Sequence, residues 1–131
     1  METKTTRYLS YSDAVFIHLI LMRACGEIRF GVADRTLVES ALARPQQAAA
    51  YESADLIRQA ATLCYGLIKN HPWTGGNKRT ATTLTQEFLK LNRHKFYSPA
   101  IEIIELVLSV ESDLWKIDEI EMWLRARTVE I

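Results

Sequence analysis

Two cysteines, three prolines and no charge surplus in 131 residues set the first limits on this chain. Cys25 and Cys64 both fall in apolar helical patterns and are expected to be buried as small hydrophobes. Neither their number nor their spacing makes a disulfide framework or a metal site, which fits a reducing cytoplasm. Sixteen Lys and Arg balance sixteen Asp and Glu, and the pI is about 6.8. That balance argues against direct nucleic-acid binding and against adhesion to an anionic membrane, both of which want a basic excess. The longest apolar run, Ala14 to Met22, is interrupted by His18 and is too short to span a bilayer. No basic-then-apolar leader opens the chain. Strand signals, internal repeats and low-complexity tracts are all missing. The length suits one domain, residues 1–131.

What is present is helical periodicity. Met1 to Thr6 reads as a polar, frayed end. Ser12-Asp13 is expected to cap a helix reaching about Cys25, apolar on nearly every side and so central and covered by others. His18 on that helix reads first as a core histidine held by a hydrogen bond, and second as a residue shaping a site. Gly26 to Gly31 is a turn. Asp34 opens a short helix from Arg35 to Ala43, ended by Pro45, and Gln46 to Tyr51 reads as a loop. Ser53 caps a long helix to Asn70, with Leu56, Ala60, Leu63 and Leu67 in one row and Ile57, Ala61, Cys64 and Ile68 in the next. Asn77 to Asn92 is the next helix, with Ala81, Leu84, Phe88 and Leu91 inward. Ser98-Pro99 begins another helix whose apolar face is Ile101, Ile104, Val107 and Leu108. Ser112-Asp113 begins the last, with Ile117, Ile120 and Leu124 inward and Trp115 and Trp123 as packing residues. These patterns predict an all-α bundle of about six helices.

The stretch that joins the third and fourth of these helices carries the chemistry: His71-Pro72-Trp73-Thr74-Gly75-Gly76-Asn77-Lys78-Arg79-Thr80-Ala81. Pro72 disfavours helical angles at His71 and leaves it at the mouth of the break, partly exposed. Paired glycines let successive N–H groups converge. A helix then starts with unpaired N–H groups and the positive end of its dipole. Lys78 and Arg79 add two cations where cations are normally unfavourable, unless an anion such as phosphate is to be bound. His71 is the nearby group able to exchange a proton near neutral pH. A phosphate cradle beside a histidine suggests phosphoryl or nucleotidyl transfer with His71 as general base. The plainer alternative, a Gly-Gly turn with Asn77 as a helix cap, is open on spacing alone.

This segment resembles the signature of the Fic/Doc superfamily, H-x-F-x-[D/E]-[G/A]-N-x-R. Lys78 before Arg79 resembles the death-on-curing (Doc) branch in particular. So do Tyr8-Leu9-Ser10 with Ile17-His18, the stretch Asp34 to Gln46, Phe88-Leu89-Lys90-Leu91-Asn92, and Trp123-Leu124-Arg125. The resemblance implies a compact helical fold and a transferase that uses ATP with Mg²⁺. His71 would deprotonate a Ser or Thr hydroxyl. Gly75, Gly76, Asn77, Lys78, Arg79 and Thr80 would hold the nucleotide phosphates, with Lys78 and Arg79 also serving catalysis. In the Doc branch the γ-phosphate goes to a translation factor, elongation factor Tu, and translation stops. In other Fic enzymes AMP is transferred. The implied partner is a Phd-like antitoxin whose C-terminal segment lies in a groove of the toxin. The region of Gln46 to Tyr51 would be a flap for the target. No internal inhibitory helix with a glutamate aimed at the motif arginine is evident, so inhibition in trans is expected. Two departures stand out. Trp73 occupies the usual Phe position, where it would anchor the loop. Gly75 occupies the position of the metal-binding acid, so Mg²⁺ would rest on phosphates and water alone and the site would carry unbalanced positive charge. A catalytically degenerate binding module is the third reading that Gly75 opens.

Overall fold

A computed structural model describes residues 5–131; the first four residues of the expected polar tail lie outside the described residues. Six helices carry the fold: α1 (Tyr11–Ala24), α2 (Arg35–Glu52), α3 (Leu56–Asn70), α4 (Asn77–Leu91), α5 (Ala100–Glu111) and α6 (Ile117–Arg125). The all-α expectation holds, with one addition. Two short strands, β1 (His94–Phe96) and β2 (Thr128–Glu130), pair antiparallel with Lys95 opposite Val129. Three residues are too few to show a period of two, so the pattern of the sequence gives no sign of them.

The centre of the bundle is α3, not α1. Nine α3 residues are buried, among them Ala60, Leu63, Cys64, Leu67 and Ile68, and the helix packs against α2, α4, α5 and α6. On α4, Ala81, Leu84, Phe88 and Leu89 face it. Only Ala14, His18 and Met22 of α1 are buried, while Phe16 and Ile20 are 65% and 53% exposed. A helix apolar on every side is expected to be covered; the other helices meet only one face of α1. Cys25, past the end of α1, is exposed and only Cys64 is buried.

Helix boundaries obey the capping chemistry, and several differ from expectation. Ser10, not Ser12, caps α1: its hydroxyl accepts from Asp13 N–H, and Asp13 accepts from Ser10 N–H, both at 3.0 Å. Asp34 caps α2 as expected, accepting from Leu37 N–H. Pro45 does not stop α2, which continues over the expected loop to Glu52. Proline removes one backbone bond, but Pro45 and Ala48 are buried on the core side, and that packing carries the helix past it. Ser53, expected as the cap of the next helix, instead ends α2 in the left-handed region at φ 53. Asp55 caps α3, accepting from Arg58 N–H. Ser112 closes α5 instead of opening α6, and Asp113 turns at φ 64. On α5 the buried face is Leu106, Val107 and Val110; Ile101, Ile104 and Leu108 are exposed. Near the chain end Trp123 packs edge-on against Phe96 at 5.7 Å, under the Arg127 guanidinium.

Candidate active site

The break between α3 and α4 is zipped to the loop after α1. Ala33 N–H donates to Pro72 O at 2.9 Å and Thr74 N–H to Gly31 O at 2.8 Å. Val32 and Trp73 form an isolated antiparallel bridge. Asn77 closes the turn from inside: Trp73 N–H donates to Asn77 Oδ1 at 2.9 Å and Asn77 Nδ2 donates to Trp73 O at 2.8 Å. The Asn77 side chain is therefore committed to the loop. Trp73 is buried as the expected anchor, its ring stacked on His18 with centroids 4.2 Å apart.

His18 is the hub behind the loop. Gly31 N–H donates to His18 Nε2 at 3.0 Å, so Nε2 carries no proton. Nδ1 then holds it and donates to Thr80 Oγ1 at 2.8 Å. The core-histidine expectation is met: His18 is fully buried, and burial lowers its pKa to about 4. This neutral imidazole joins α1, the 31–33 loop, Trp73 and α4. It also settles the position of Thr80, whose fully buried hydroxyl is engaged behind the helix rather than facing the solvent side.

On the other side of the same loop the surroundings are open. His71 ends α3 in the left-handed region, φ 47 and ψ 54, with its side chain 53% exposed. The non-helical, partly exposed position expected from Pro72 is realised. Gly76 is the residue before α4, at φ 65, where an L side chain is strained. Side chains cap α1, α2 and α3, but none caps α4 or α5. The first α4 turn therefore presents bare N–H groups, and the first bond in the helix is Thr80 N–H to Gly76 O at 2.8 Å. Asn77 is thus not the cap of the plainer reading.

An open cavity of about 820 Å³ lies against this helix start. His71, Gly76, Asn77, Lys78 and Arg79 line it at one end, with Glu27 from the loop after α1. Thr82, Thr83 and Gln86 continue along α4, and Ala100, Ile103, Ile104, Val107 and Leu108 of α5 form an apolar wall. Gly75 and Thr80 do not line it. A side chain at 75 would run into the backbone carbonyl oxygen of Arg29, so glycine here is required by a close approach of two loops.

Electrostatics in the cavity are more balanced than the absence of an acid at 75 implies. Glu111, at the end of α5, places Oε1 3.2 Å from Lys78 Nζ and Oε2 3.8 Å from His71 Nε2. Lys78 is partnered by this carboxylate, whereas the Arg79 guanidinium has no side-chain partner among the described residues. Sequence reasoning misses Glu111 and Glu27 because neither sits at any fixed spacing from the motif. The α5 wall does leave a trace: its apolar residues cover more of the helix than one buried face needs. No group of three or more His, Cys, Asp or Glu among the described residues is arranged to hold a metal ion.

A family model described as Fic/DOC family matches residues 8–89, which span His18, the motif loop and nearly all of α4. The chain belongs to the Fic/Doc family. A search of curated proteins finds no match. The Fic/Doc segment thus covers both sides of the motif loop, while α5, with Glu111 and the apolar cavity wall, lies beyond it. Among the described residues of this Fic/Doc protein, no helix is long and apolar enough to cross a membrane.

Proposed function

We propose that this Fic/Doc protein is a Doc-type toxin that transfers the γ-phosphate of ATP to a Ser or Thr hydroxyl of a translation factor, elongation factor Tu being the expected target. The observation that carries the reading is the uncapped start of α4, with an unpaired Arg79 guanidinium and the exposed imidazole of His71 lining one cavity. Bare N–H groups at a helix start, a guanidinium and an ammonium favour a polyphosphate. Gly76 brings its backbone to the cavity; the Asn77 side chain shapes the loop, and its backbone N–H belongs to the anion-facing turn. Gly75 and Thr80 act from behind, through loop packing and through His18.

In the reaction His71 takes the hydroxyl proton as the target oxygen bonds to the γ-phosphorus. The bond from that phosphorus to the β–γ bridging oxygen breaks and ADP leaves. Arg79 and Lys78 balance the charge on the transferred group and on the leaving diphosphate. Lys78 must first release Glu111, which makes its engagement conditional on the arrival of phosphate. The apolar α5 wall, with a basic end, suits the C-terminal segment of a Phd-like antitoxin, laid in the groove as an amphipathic helix. Such a partner, and a translation-factor target, place the protein in the cytoplasm, with no membrane and no nucleic acid bound directly.

Incubation of the protein with purified translation factors and ATP labelled on the γ- or the α-phosphate, read by mass spectrometry, tests this. Label from the γ position on a Ser or Thr is expected. Label from the α position instead establishes AMP transfer and overturns the kinase reading. Gly75 favours a second reading, the binding module without catalysis. Label from neither position, with an antitoxin peptide still bound, would establish it.

A further inference from the structure

We propose that Glu27 supplies the carboxylate for a divalent cation bridging the nucleotide phosphates, a task that no side chain at position 75 can perform in this chain. The inference rests on the nucleotide reading of the cavity. Three observations carry it.

First, the space beside Gly75 is filled. The carbonyl of Arg29 lies where a Cβ at 75 would go, so an acid cannot be held there without displacing the loop after α1. Second, the loop that fills the space brings its own acid. Glu27 lies two residues before Arg29, its N–H bonded to Met22 O at 2.9 Å at the end of α1. It lines the cavity together with His71, Gly76, Asn77, Lys78 and Arg79. The same approach that excludes an acid from the motif therefore delivers one from the neighbouring loop. Third, Glu27 is uncommitted. Among the described residues its carboxylate has no hydrogen-bond or ion-pair partner. Glu111 is the competing candidate, but it stands beside His71 and is paired to Lys78 at 3.2 Å, and an ammonium so close repels a cation.

One carboxylate is enough for this role. Mg²⁺ demands six oxygen ligands, keeps several waters, and is commonly held by one or two carboxylates plus substrate phosphates instead of by an all-protein cage.

The test is calorimetric ATP binding, with Mg²⁺ and with EDTA, to the wild-type protein and to Glu27→Gln. Thermal unfolding of both proteins checks that the fold is intact, as expected for an exposed position. Mg²⁺ is expected to tighten ATP binding to the wild type by on the order of tenfold or more, the scale on which loss of one supporting group changes metal affinity. In Glu27→Gln that gain should shrink to less than about threefold. Metal-free binding should not weaken, since a negative charge has been taken from a phosphate site. A Mg²⁺ gain that is equal in both proteins, or no gain in the wild type, overturns the assignment of Glu27 and leaves the nucleotide reading standing. No ATP binding to the wild type in either buffer overturns both.

Discussion

Two histidines stand on opposite sides of one loop and have opposite fates. His18 is sealed behind it, stacked on Trp73, with Gly31 and Thr80 on its two ring nitrogens. His71 stands in front, more than half exposed, with a Glu111 carboxylate oxygen 3.8 Å from its Nε2. On the proposed function, the pair separates two duties that a motif of eleven residues runs together. A proton acceptor needs access to substrate and a ring free to change charge. A keystone needs the reverse: a fixed tautomer, no water, and every polar atom matched. The loop thus has a packed face, to which Trp73 and the side chains of Asn77 and Thr80 belong, and a cavity face with His71, Lys78 and Arg79, which is the chemical face of the proposed function.

The comparison breaks most visibly if the histidines exchange roles under mutation. His71→Ala should cut transfer by on the order of 100-fold or more, and change unfolding free energy by about 0.5 kcal/mol or less, because the side chain is exposed. Labelled-ATP transfer and thermal unfolding on the same sample measure both. His18→Ala should do the opposite first. It opens a cavity against Trp73 and leaves Gly31 N–H and Thr80 Oγ1 without partners, for a loss of roughly 2–4 kcal/mol in unfolding free energy. Any loss of transfer should come from the loosened loop. If His18→Ala unfolds like the wild type while His71→Ala is destabilised, the division into two faces is wrong.

Acid titration sharpens the same contrast. His18 in the folded chain has a pKa of about 4 against an ordinary value of 6.5. Between those two values the unfolded chain takes up a proton there and the folded chain does not. Its contribution to stability is therefore complete above pH 6.5 and falls as pH drops towards 4. Urea unfolding at steps through that window should show stability decreasing with acid, and His18→Gln should flatten the slope. A slope that is the same in His18→Gln assigns it to other groups.

These two faces are unequally legible in the sequence. His71, Lys78 and Arg79 can be placed at a cavity because local rules govern them: Pro72 fixes the backbone before it, and Gly76 sets the start of the helix that carries both cations. The bundle is legible too, since α3 and α4 carry long apolar rows. Thr80 is legible as a neighbour of the site but not as a member of its back face, because that depends on His18, which is 62 residues away in the chain; Asn77 reads as a helix cap, and only the closed turn shows its side chain bonded back to Trp73. Glu27 and Glu111 arrive from other elements in the same way. Pro45 misleads for a related reason. A local breaking rule is set against burial of Pro45 and Ala48 on the core, and only the three-dimensional packing shows which is larger. Composition makes α1 look central, yet composition tells that a helix has apolar faces and not how many of them find a neighbour.

The smallest expected effect concerns Glu111, whose carboxylate contacts both Lys78 and His71. Its carboxylate sits 3.2 Å from Lys78 Nζ, with the ammonium side chain 56% and the carboxylate 24% exposed. A partly exposed pair of this kind contributes about 1 kcal/mol or less, so Glu111→Gln should hardly alter unfolding. Its effect should appear at the cavity. An arriving phosphate has to take Lys78 from Glu111, and the variant removes that competitor together with a negative charge near the phosphate site. ATP should then bind a few-fold more tightly, on the scale of the pair energy. If the carboxylate also orients His71, transfer per bound ATP should fall in the same variant. Measuring the ATP dissociation constant and single-turnover transfer together separates the two contacts: tighter binding with undiminished transfer makes Glu111 a partner of Lys78 alone, and slower transfer at saturating ATP makes it a positioning residue for His71. Weaker ATP binding in Glu111→Gln would mean that the carboxylate holds Lys78 in the pose that phosphate needs, and would move Glu111 from the competing to the supporting side of the site.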